Sequence, residues 1–444
     1  MNQHLSLSSR IVLTPRRTGL RAGQTNAVDV LVRVQAPDSP DASGTPSADR
    51  PPQAIALVID RSGSMSGRPL TEARRCGEFV VSRLRPTDAV SIMQFDNRVE
   101  RLWPAVPLGN GDAVRGALGR IHAGGNTNLH GGWLEGADTI AGVPGSGLKR
   151  VILLSDGCAN EGLTDGSQIA AQCAEWAARG ITTSTYGLGD HFNEELMVGM
   201  ATAGGGNHYY GDTAEDLMEP FQQEFDLLAN LALRQVDLSA WVPDGFQVER
   251  LNELPGSGGT WRLPDLAWGA EAWAVLRVTV PEGALPGLGD RTAVLRVSVT
   301  GQSLQGEPVA LEKAGLALQV LSPSAFDALV EDELVLRRSA ELAAGQFLVQ
   351  MRSAAKAHDW AAVDGTLVDA RARFAGNEWV AGILEAMTDL AQSRSRERMM
   401  KEAMYTSSKL SSRLAAKDEV SSSASSAEVP AYLRRKRQQG KADL

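Results

Sequence analysis

Buried-strand patterns that alternate with helical patterns fill the middle of the chain and constrain its fold more than any other feature. The run QAIALVID, which ends at Asp60, is apolar at nearly every position, as expected of a strand covered on both faces of a parallel sheet. Similar runs follow it (AVSIMQF, RVILLSD and ITTSTYGLG), separated by segments of helical spacing, and a last helix is predicted at residues 214–231. This alternation predicts a doubly wound α/β domain at residues 53–231.

Both flanks of the α/β domain carry β-strand patterns. Residues 1–52 contain short alternating runs such as VDVLVRV, followed by a Pro-, Ser- and Asp-rich linker, and residues 232–321 contain further runs separated by turns such as PDG and PGSGG. Because an isolated hairpin is marginal in water, we expect the two flanks to pair in one antiparallel β-sandwich, with the α/β domain as an insertion. The tryptophans of the second flank are predicted to lie in the sandwich core: Trp241, Trp261, Trp268 and Trp273.

The last quarter of the chain turns helical. Residues 322–404 are rich in Ala, Leu and Glu and predict a small helical bundle. Residues 405–444 are Ser-rich and then basic, with the run RRKR at 434–437, and we expect a flexible tail there. The fold class predicted for the whole chain is therefore multidomain: an α/β domain inserted in a β-sandwich, plus a C-terminal α-helical region.

Charge and cysteine content exclude several classes of protein. Lys plus Arg total 44 against 53 Asp plus Glu, which gives a net charge of −9 and argues against nucleic acid as a partner. Three cysteines are too few for a disulfide scaffold and fit a reducing compartment. No signal-peptide pattern begins the sequence, and no apolar run approaches the roughly 20 residues that span a bilayer. We expect a cytoplasmic protein with no membrane partner.

Oxygen-bearing side chains follow two of the predicted buried strands and occupy one glycine-rich loop. Asp60, Ser62 and Ser64 follow the first strand, Thr127 lies in the loop GGNTN, and Asp156 follows RVILLS. The carboxyl edge of an open α/β sheet is where ligands bind, and hard oxygen donors suit Mg²⁺. Hydroxyl ligands are neutral, so such an ion seeks an anionic ligand from outside. The alternative for each residue alone is structural, as a helix cap or an Asx turn.

Taken in this order, the motifs D-x-S-x-S, Thr and S-D-G resemble the metal-ion-dependent adhesion site of the von Willebrand factor A family. The resemblance covers residues 53–231 and implies Ser62, Ser64 and Thr127 as direct metal ligands, with Asp60 and Asp156 acting mainly through water. It implies Mg²⁺, with Mn²⁺ or Ca²⁺ as alternatives, and a protein partner that supplies an Asp or Glu carboxylate. Intracellular bacterial members of this family often work beside MoxR-type AAA+ ATPases, or with kinases and phosphatases.

Two classes of function stay open on the sequence. The first is a non-enzymatic adaptor that binds a partner carboxylate through Mg²⁺ within an intracellular complex. The alternative is a Mg²⁺-dependent hydrolase or phosphatase that uses the same cleft, for which no general base or nucleophile has a convincing context. Cys158 follows the S-D-G motif without a His/Asp pair, and the histidines lack zinc-ligand spacing. Binding of RNA or membrane by the basic tail is a third hypothesis.

Overall fold

A computed structural model describes residues 9–36, 51–145, 147–156, 159–188, 193–211, 222, 225, 230–377, 380–411 and 415–416 of the 444-residue chain. These residues divide into two compact units. The first, called here the α/β unit, is made of residues 51–230 with 304–307. The second, called the flanking unit, is made of residues 9–36, 231–303 and 308–416.

The strands of the described residues are, in chain order, β1 (Arg10–Pro15), β2 (Gly19–Arg21), β3 (Asn26–Gln35), β4 (Ala54–Asp60), β5 (Ala89–Phe95), β6 (Val99–Pro107), β7 (Lys149–Ser155), β8 (Ile181–Leu188), β9 (Gly205–Gly211), β10 (Leu231–Trp241), β11 (Gln247–Arg250), β12 (Gly256–Ser257), β13 (Thr260–Arg262), β14 (Leu266–Ala267), β15 (Ala270–Val280), β16 (Arg291–Gln302), β17 (Pro308–Ala310), β18 (Ala314–Leu321) and β19 (Ala415–Ala416). The helices are α1 (Arg68–Arg83), α2 (Asp112–Gly119), α3 (Leu129–Ala141), α4 (Gly166–Ala178), α5 (Glu194–Ala203), α6 (Pro323–Asp327), α7 (Glu333–Lys356), α8 (Trp360–Arg373), α9 (Ala381–Ser393) and α10 (Arg396–Ser411).

The α/β unit is built on a six-stranded sheet of order β6-β5-β4-β7-β8-β9. Strands β5, β4, β7, β8 and β9 are parallel, and β6 runs antiparallel to β5 at the edge. All seven residues of β4 are buried, which is the reason that its sequence is apolar at almost every position. The predicted doubly wound α/β domain is confirmed.

Polar residues define where three helices of the α/β unit begin. The side chains of Asn128, Asp165 and Asn193 accept backbone N–H groups at the first turns of α3, α4 and α5, at 3.0, 2.9 and 3.1 Å. Helix α3 then packs Trp133 into the core beside the sheet, and its indole N–H donates to Thr183 Oγ1 at 2.9 Å. These caps fix the position of the loops that precede them, including the loop that carries Thr127.

The flanking unit contains the predicted pairing between strands from the two ends of the α/β segment. Strand β3 pairs antiparallel with β1 on one side and with β15 on the other, in the sheet order β1-β3-β15-β11. A second sheet has the order β12-β13-β10-β16-β18-β2. Across the first sheet, Arg277 donates to both carboxylate oxygens of Asp29, at 2.7 and 3.0 Å. The face-to-face sandwich and the insertion of the α/β domain into it stay predictions.

Helices α6 to α10 follow the sheets, and α7, α8, α9 and α10 share one apolar cluster. Helix α10 extends to Ser411, and β19 pairs with β15, so ordered structure continues past the boundary predicted at residue 404. The reason is packing: Met399, Ala403 and Ser407, spaced one turn apart, are all buried. Residues 417–444, which hold the basic run, lie outside the described residues.

Two other sequence predictions meet a different outcome. Trp261 and Trp273 are buried as predicted, but Trp241 is 49% exposed because it is the last residue of β10, where the chain turns away from the sheet. The predicted helix at residues 214–231 lies mostly outside the described residues, and Leu231 is already the first residue of β10. Among the helices that the structure describes, none has the length and apolar character needed to cross a membrane.

Candidate metal centre

The candidate site lies at the point in the α/β sheet where the order in which strands are added reverses. From β4 the chain goes to β5 on one side, and it later returns to β7 on the other side of β4. Loops that leave the carboxyl ends of two such neighbouring strands diverge and open a crevice between them, which is the usual ligand position in open α/β sheets. Asp60 is the last residue of β4, Ser155 is the last residue of β7, and Asp156 follows it directly.

Asp60 is a carboxylate in the interior of the protein. Its side chain is fully buried; Oδ1 accepts the Ser62 N–H at 2.8 Å and Oδ2 accepts the Ser155 hydroxyl at 2.6 Å. Burial raises the pKa of Asp60 to about 6, the Ser155 hydrogen bond opposes this rise, and the neighbouring charge of Asp156 adds to it. Within the described residues, no contact of Asp60 brings a positive charge to it. A cation at this place would therefore relieve an electrostatic deficit.

Two serines follow Asp60: Ser62 is the N-cap of the 3₁₀ turn Gly63–Met65, and Ser64 lies within that turn. Ser62 is buried and Ser64 is exposed, and their Oγ atoms lie 3.1 Å apart. Two adjacent ligands of one octahedral Mg²⁺, each at 2.0–2.1 Å, are about 2.9 Å apart, so the spacing of the two hydroxyls fits such a pair. Helix α1 has Gly67 as its N-cap and no side-chain cap, so Asp60 and Ser62 do not serve to cap it.

The loop that carries Thr127 is attached to the serine turn by backbone hydrogen bonds. The Gly124 N–H donates to the Arg61 carbonyl at 2.7 Å, and the Gly63 N–H donates to the Gly125 carbonyl at 3.0 Å. Gly125 has a φ of +79°, and a Cβ there would lie 2.9 Å from the Cβ of Asp96. The loop therefore needs glycine at this position, and Thr127, two residues further along it, is 2% exposed.

Residues that sequence reasoning missed hold these loops together. Asp96 follows β5 and accepts Arg61 Nη2 at 2.6 Å, and its carbonyl accepts the Asn128 N–H at 2.7 Å. A carboxylate directly after a buried strand is the same signal that drew attention to Asp60, so the sequence offered a means to find it. Asn160 accepts the Thr127 N–H at 2.8 Å. It lies in an irregular loop, and no periodic pattern marks it.

The other polar residues near the loop have local partners. Asn126 donates to Glu161 Oε2 at 3.3 Å, Asn128 caps α3, and His130 Nε2 lies 2.9 Å from Gln172 Oε1. Cys158 lies outside the described residues. In the described ranges, no three or more His, Cys, Asp or Glu side chains gather in a group suited to a metal ion. The candidate donors are the carboxylates of Asp60 and Asp156 and the hydroxyls of Ser62, Ser64 and Thr127.

Comparison with known proteins gives this region a family. The sequence-family model of the von Willebrand factor type A domain matches residues 54–224. The uncharacterized protein sll0103 of Synechocystis is 27% identical over 190 residues, 43% of this chain and 44% of that protein. YfbK of Escherichia coli is 28% identical over 211 residues, 46% of this chain and 36% of that protein. Inter-alpha-trypsin inhibitor heavy chain H1 of Mesocricetus auratus is 29% identical over 197 residues, 41% of this chain and 21% of that protein. This chain spans less than half the length of these curated relatives.

Solved structures share the fold over more of the chain. A von Willebrand factor type A protein from Catenulispora acidiphila has a TM-score of 0.66 and 18% identity, and the likeness covers 86% of this chain and 91% of that one. The ArnB paralog VWA2 from Sulfolobus acidocaldarius has a TM-score of 0.57 and 18% identity, and the likeness covers 90% and 99%. These structures establish likeness of fold alone, while the family match defines the domain. Residues 54–224 of this chain are therefore a von Willebrand factor type A domain.

Proposed function

We propose that this chain is a metal-dependent protein-binding module without catalytic activity. Domains of its family generally mediate metal-dependent protein–protein interactions. In the proposal, Ser62, Ser64 and Thr127 bind a divalent cation directly, and Asp60 and Asp156 bind it mainly through water. The ion is Mg²⁺, with Mn²⁺ or Ca²⁺ as substitutes. The observation that carries the proposal is the buried Asp60 carboxylate, which has no positive partner among the described residues and lies beside two hydroxyls 3.1 Å apart.

The chemistry of the donors explains why the partner should be acidic. Three of the five proposed donors are neutral hydroxyls, so the protein leaves much of the charge of a divalent ion exposed to a ligand from outside. An Asp or Glu carboxylate of a partner is a hard anionic oxygen donor of the right kind. The chain itself carries a net charge of −9, which repels an acidic partner at long range. The ion supplies the local positive charge that reverses this repulsion at the contact.

We place binding ahead of hydrolysis because of the environment of the histidines nearest to the site in sequence. His122 Nδ1 lies 2.7 Å from the Arg120 carbonyl and His130 Nε2 lies 2.9 Å from Gln172 Oε1, so both rings are engaged in local contacts. A hydrolase would need a base directed at a metal-bound water or at the substrate. Turnover of phosphoesters by the purified chain in Mg²⁺, lost in a Ser62→Ala variant, would overturn this assignment.

We further propose that the sheets of the flanking unit form a β-sandwich into which the α/β domain is inserted. The pairing of β3 with β15 supports this, because these strands lie on either side of the α/β segment in the sequence. In this proposal the metal site acts within a larger complex in the cytoplasm. A AAA+ ATPase of the MoxR type, or a kinase or phosphatase, is the partner class that we propose to test first.

The direct test is metal binding by the full chain. Isothermal titration with Mg²⁺, and Mn²⁺ binding followed by electron paramagnetic resonance, should detect one site. The double variant Ser62→Ala/Ser64→Ala should weaken affinity at least tenfold. The matched control is Ser82→Ala, because Ser82 is exposed on α1 and donates to the Phe79 carbonyl. Equal affinity in the double variant and the control would refute the proposed ligands.

The partner test uses the same proteins as affinity baits. Proteins retained by the wild-type chain in Mg²⁺ are identified by mass spectrometry. A genuine partner should be released by EDTA, absent from the double variant and present with the Ser82→Ala control. Retention that is indifferent to both EDTA and the double substitution would show that partner binding does not pass through the metal.

A further inference from the structure

The backbone of Thr127 is held on both its amide and its carbonyl by the loop that follows β7. Its N–H donates to Asn160 Oδ1 at 2.8 Å, and its carbonyl accepts the Asn160 N–H at 3.1 Å and the Glu161 N–H at 3.2 Å. We call this set of three hydrogen bonds the Asn160 clamp. It joins residues 33 positions apart in the sequence. The clamp lies outside every helix and strand, because Thr127 precedes α3 and Asn160 precedes α4.

We propose that Asn160 is a positioning residue of the metal site, an inference that rests on the proposed function. Asn160 follows Asp156 by four residues on the same loop, and its side chain fixes the peptide of Thr127. The clamp therefore joins the loop that bears one proposed ligand to the loop that bears another. With the clamp formed, the backbone from which the Thr127 hydroxyl projects is fixed to residues that follow β7.

The chemistry of the side chain suits this role. Thr127 is 2% exposed, so its amide needs a partner within the protein. An asparagine supplies the acceptor oxygen without adding a charge to a crevice that already holds Asp60 and Asp156. The next amide, that of Asn128, donates to the Asp96 carbonyl at the end of β5. The amides of Thr127 and Asn128 thus donate to loops that follow two different strands. Of these two hydrogen bonds, only the one from Thr127 to Asn160 reaches the loop that follows β7.

The first measurement needs no metal. Hydrogen exchange at the Thr127 amide is followed in EDTA for the full-length wild type, Asn160→Ala and Asn160→Asp. Removal of the acceptor in Asn160→Ala should speed exchange at least tenfold, while Asn160→Asp keeps an acceptor oxygen and should restore protection. The control is Asn110→Ala, in an exposed loop at the opposite edge of the sheet, where Asn110 donates to Asp112. It should leave the Thr127 amide unchanged.

The second measurement is Mn²⁺ affinity by electron paramagnetic resonance on the same four proteins. Loss of a hydrogen bond that orients a metal ligand typically costs 10–100-fold in affinity, and we expect Asn160→Ala to fall in this range. Asn160→Asp should bind at least as tightly as wild type, and Asn110→Ala should be unchanged. Faster exchange in Asn160→Ala with undiminished Mn²⁺ affinity would overturn the positioning role, as would slow exchange in that variant.

The two measurements separate this inference from the proposed function. If the wild type binds no Mn²⁺, Mg²⁺ or Ca²⁺, the proposed function fails, and the positioning role fails with it even where the exchange data show the clamp to be formed. If the wild type binds metal and Asn160→Ala binds it equally well, the metal site stands and the role of Asn160 alone is refuted. Should Asn160→Ala fail to fold, Asn160→Ser, which is too short to reach the Thr127 amide, takes its place beside Asn160→Asp.

Discussion

Replacement of Asp60 by Asn should stabilise the metal-free protein at neutral pH. The pKa of Asp60 is about 6 in the folded chain against the ordinary aspartate value of 3.8, so ionising this carboxylate is harder in the folded state than in the unfolded state. The stability that the protonated Asp60 side chain contributes to the fold is fully present below pH 3.8, where both the folded and the unfolded state hold the proton, and is lost as pH rises through 6. At about 1.4 kcal/mol per pH unit, the ionised form costs the folded protein about 3 kcal/mol at pH 7.5.

Asparagine removes that cost while it preserves the hydrogen bonds. Its amide oxygen can accept the Ser62 N–H, and its NH₂ group can donate to the Ser155 hydroxyl, which then reverses its own role. We expect Asp60→Asn to be more stable than wild type by about 1–3 kcal/mol at pH 7.5 in EDTA, and the difference to vanish near pH 4. Mg²⁺ at 100 times Kd should largely cancel this difference, since it stabilises only the protein that binds it, by about 2.7 kcal/mol.

The assay is urea unfolding of the full chain at pH 7.5, 6 and 4, in EDTA and in Mg²⁺. The difference between the two proteins at each pH isolates Asp60 together with its charge interaction with Asp156, because the remaining titrating groups contribute equally to both. Asp138→Asn, at an exposed position of α3, removes one charge without these contacts and should change stability little under any condition. A destabilised Asp60→Asn in EDTA at pH 7.5, or an effect independent of pH, would refute the electrostatic reasoning.

Three further changes test the packing around the site and in the flanking unit. Gly125→Ala should destabilise the chain by about 1–3 kcal/mol, because φ is +79° and a Cβ there meets other atoms at 2.6–2.9 Å. Thermal unfolding measures the effect, and the control Gly124→Ala, with open space around it, should be nearly neutral. Asp29→Ala breaks the two hydrogen bonds to Arg277 between β3 and β15. Because Arg277 is 40% exposed, the free energy of unfolding measured in urea should fall by only about 1 kcal/mol. A variant as stable as wild type would argue against this pairing. Burial lowers the pKa of His208 to about 3, so as pH falls below 6.5 the unfolded chain binds a proton that the folded chain does not, and the stability of the fold declines. The His208→Gln variant lacks this loss, so its free energy of unfolding should rise relative to wild type by about 2 kcal/mol between pH 6.5 and 4.5. Parallel pH profiles of the two proteins would contradict this.

The sequence was most informative where burial leaves little choice of residue. Strand β4 is covered on both faces, and only a continuous apolar run satisfies this condition, so the strand and its end at Asp60 could be predicted. The positions of Ser62, Ser64 and Asp156 then followed from the rule that parallel strands end at one edge. Helix α10 shows the opposite case: its buried positions recur every four residues through Ser407, but a Ser-rich composition concealed the periodicity.

Contacts between loops were beyond sequence reasoning. The Asn160 clamp and the ion pair of Arg61 with Asp96 join residues that are about 33–35 positions apart and belong to no periodic element. Trp241 illustrates a different limit, since an alternating pattern predicts which face a residue occupies but does not show that the sheet ends beside it. In each case the missing information is a tertiary neighbour rather than a local preference.

The loop contacts also connect the segments that carry the proposed metal ligands. The turn with Ser62 and Ser64, the loop with Thr127 and the loop with Asp156 leave different strands, so no helix or strand holds them together. Backbone hydrogen bonds between Gly63 and Gly125, and the Asn160 clamp, supply that connection instead. Neutral hydroxyls attract a cation weakly, so their affinity depends on being in position before the ion arrives. Substitutions that remove these hydrogen bonds should therefore weaken metal binding by a larger factor than they weaken the fold of the α/β unit. A variant such as Asn160→Ala that loses metal affinity and folding stability in equal measure would contradict this view.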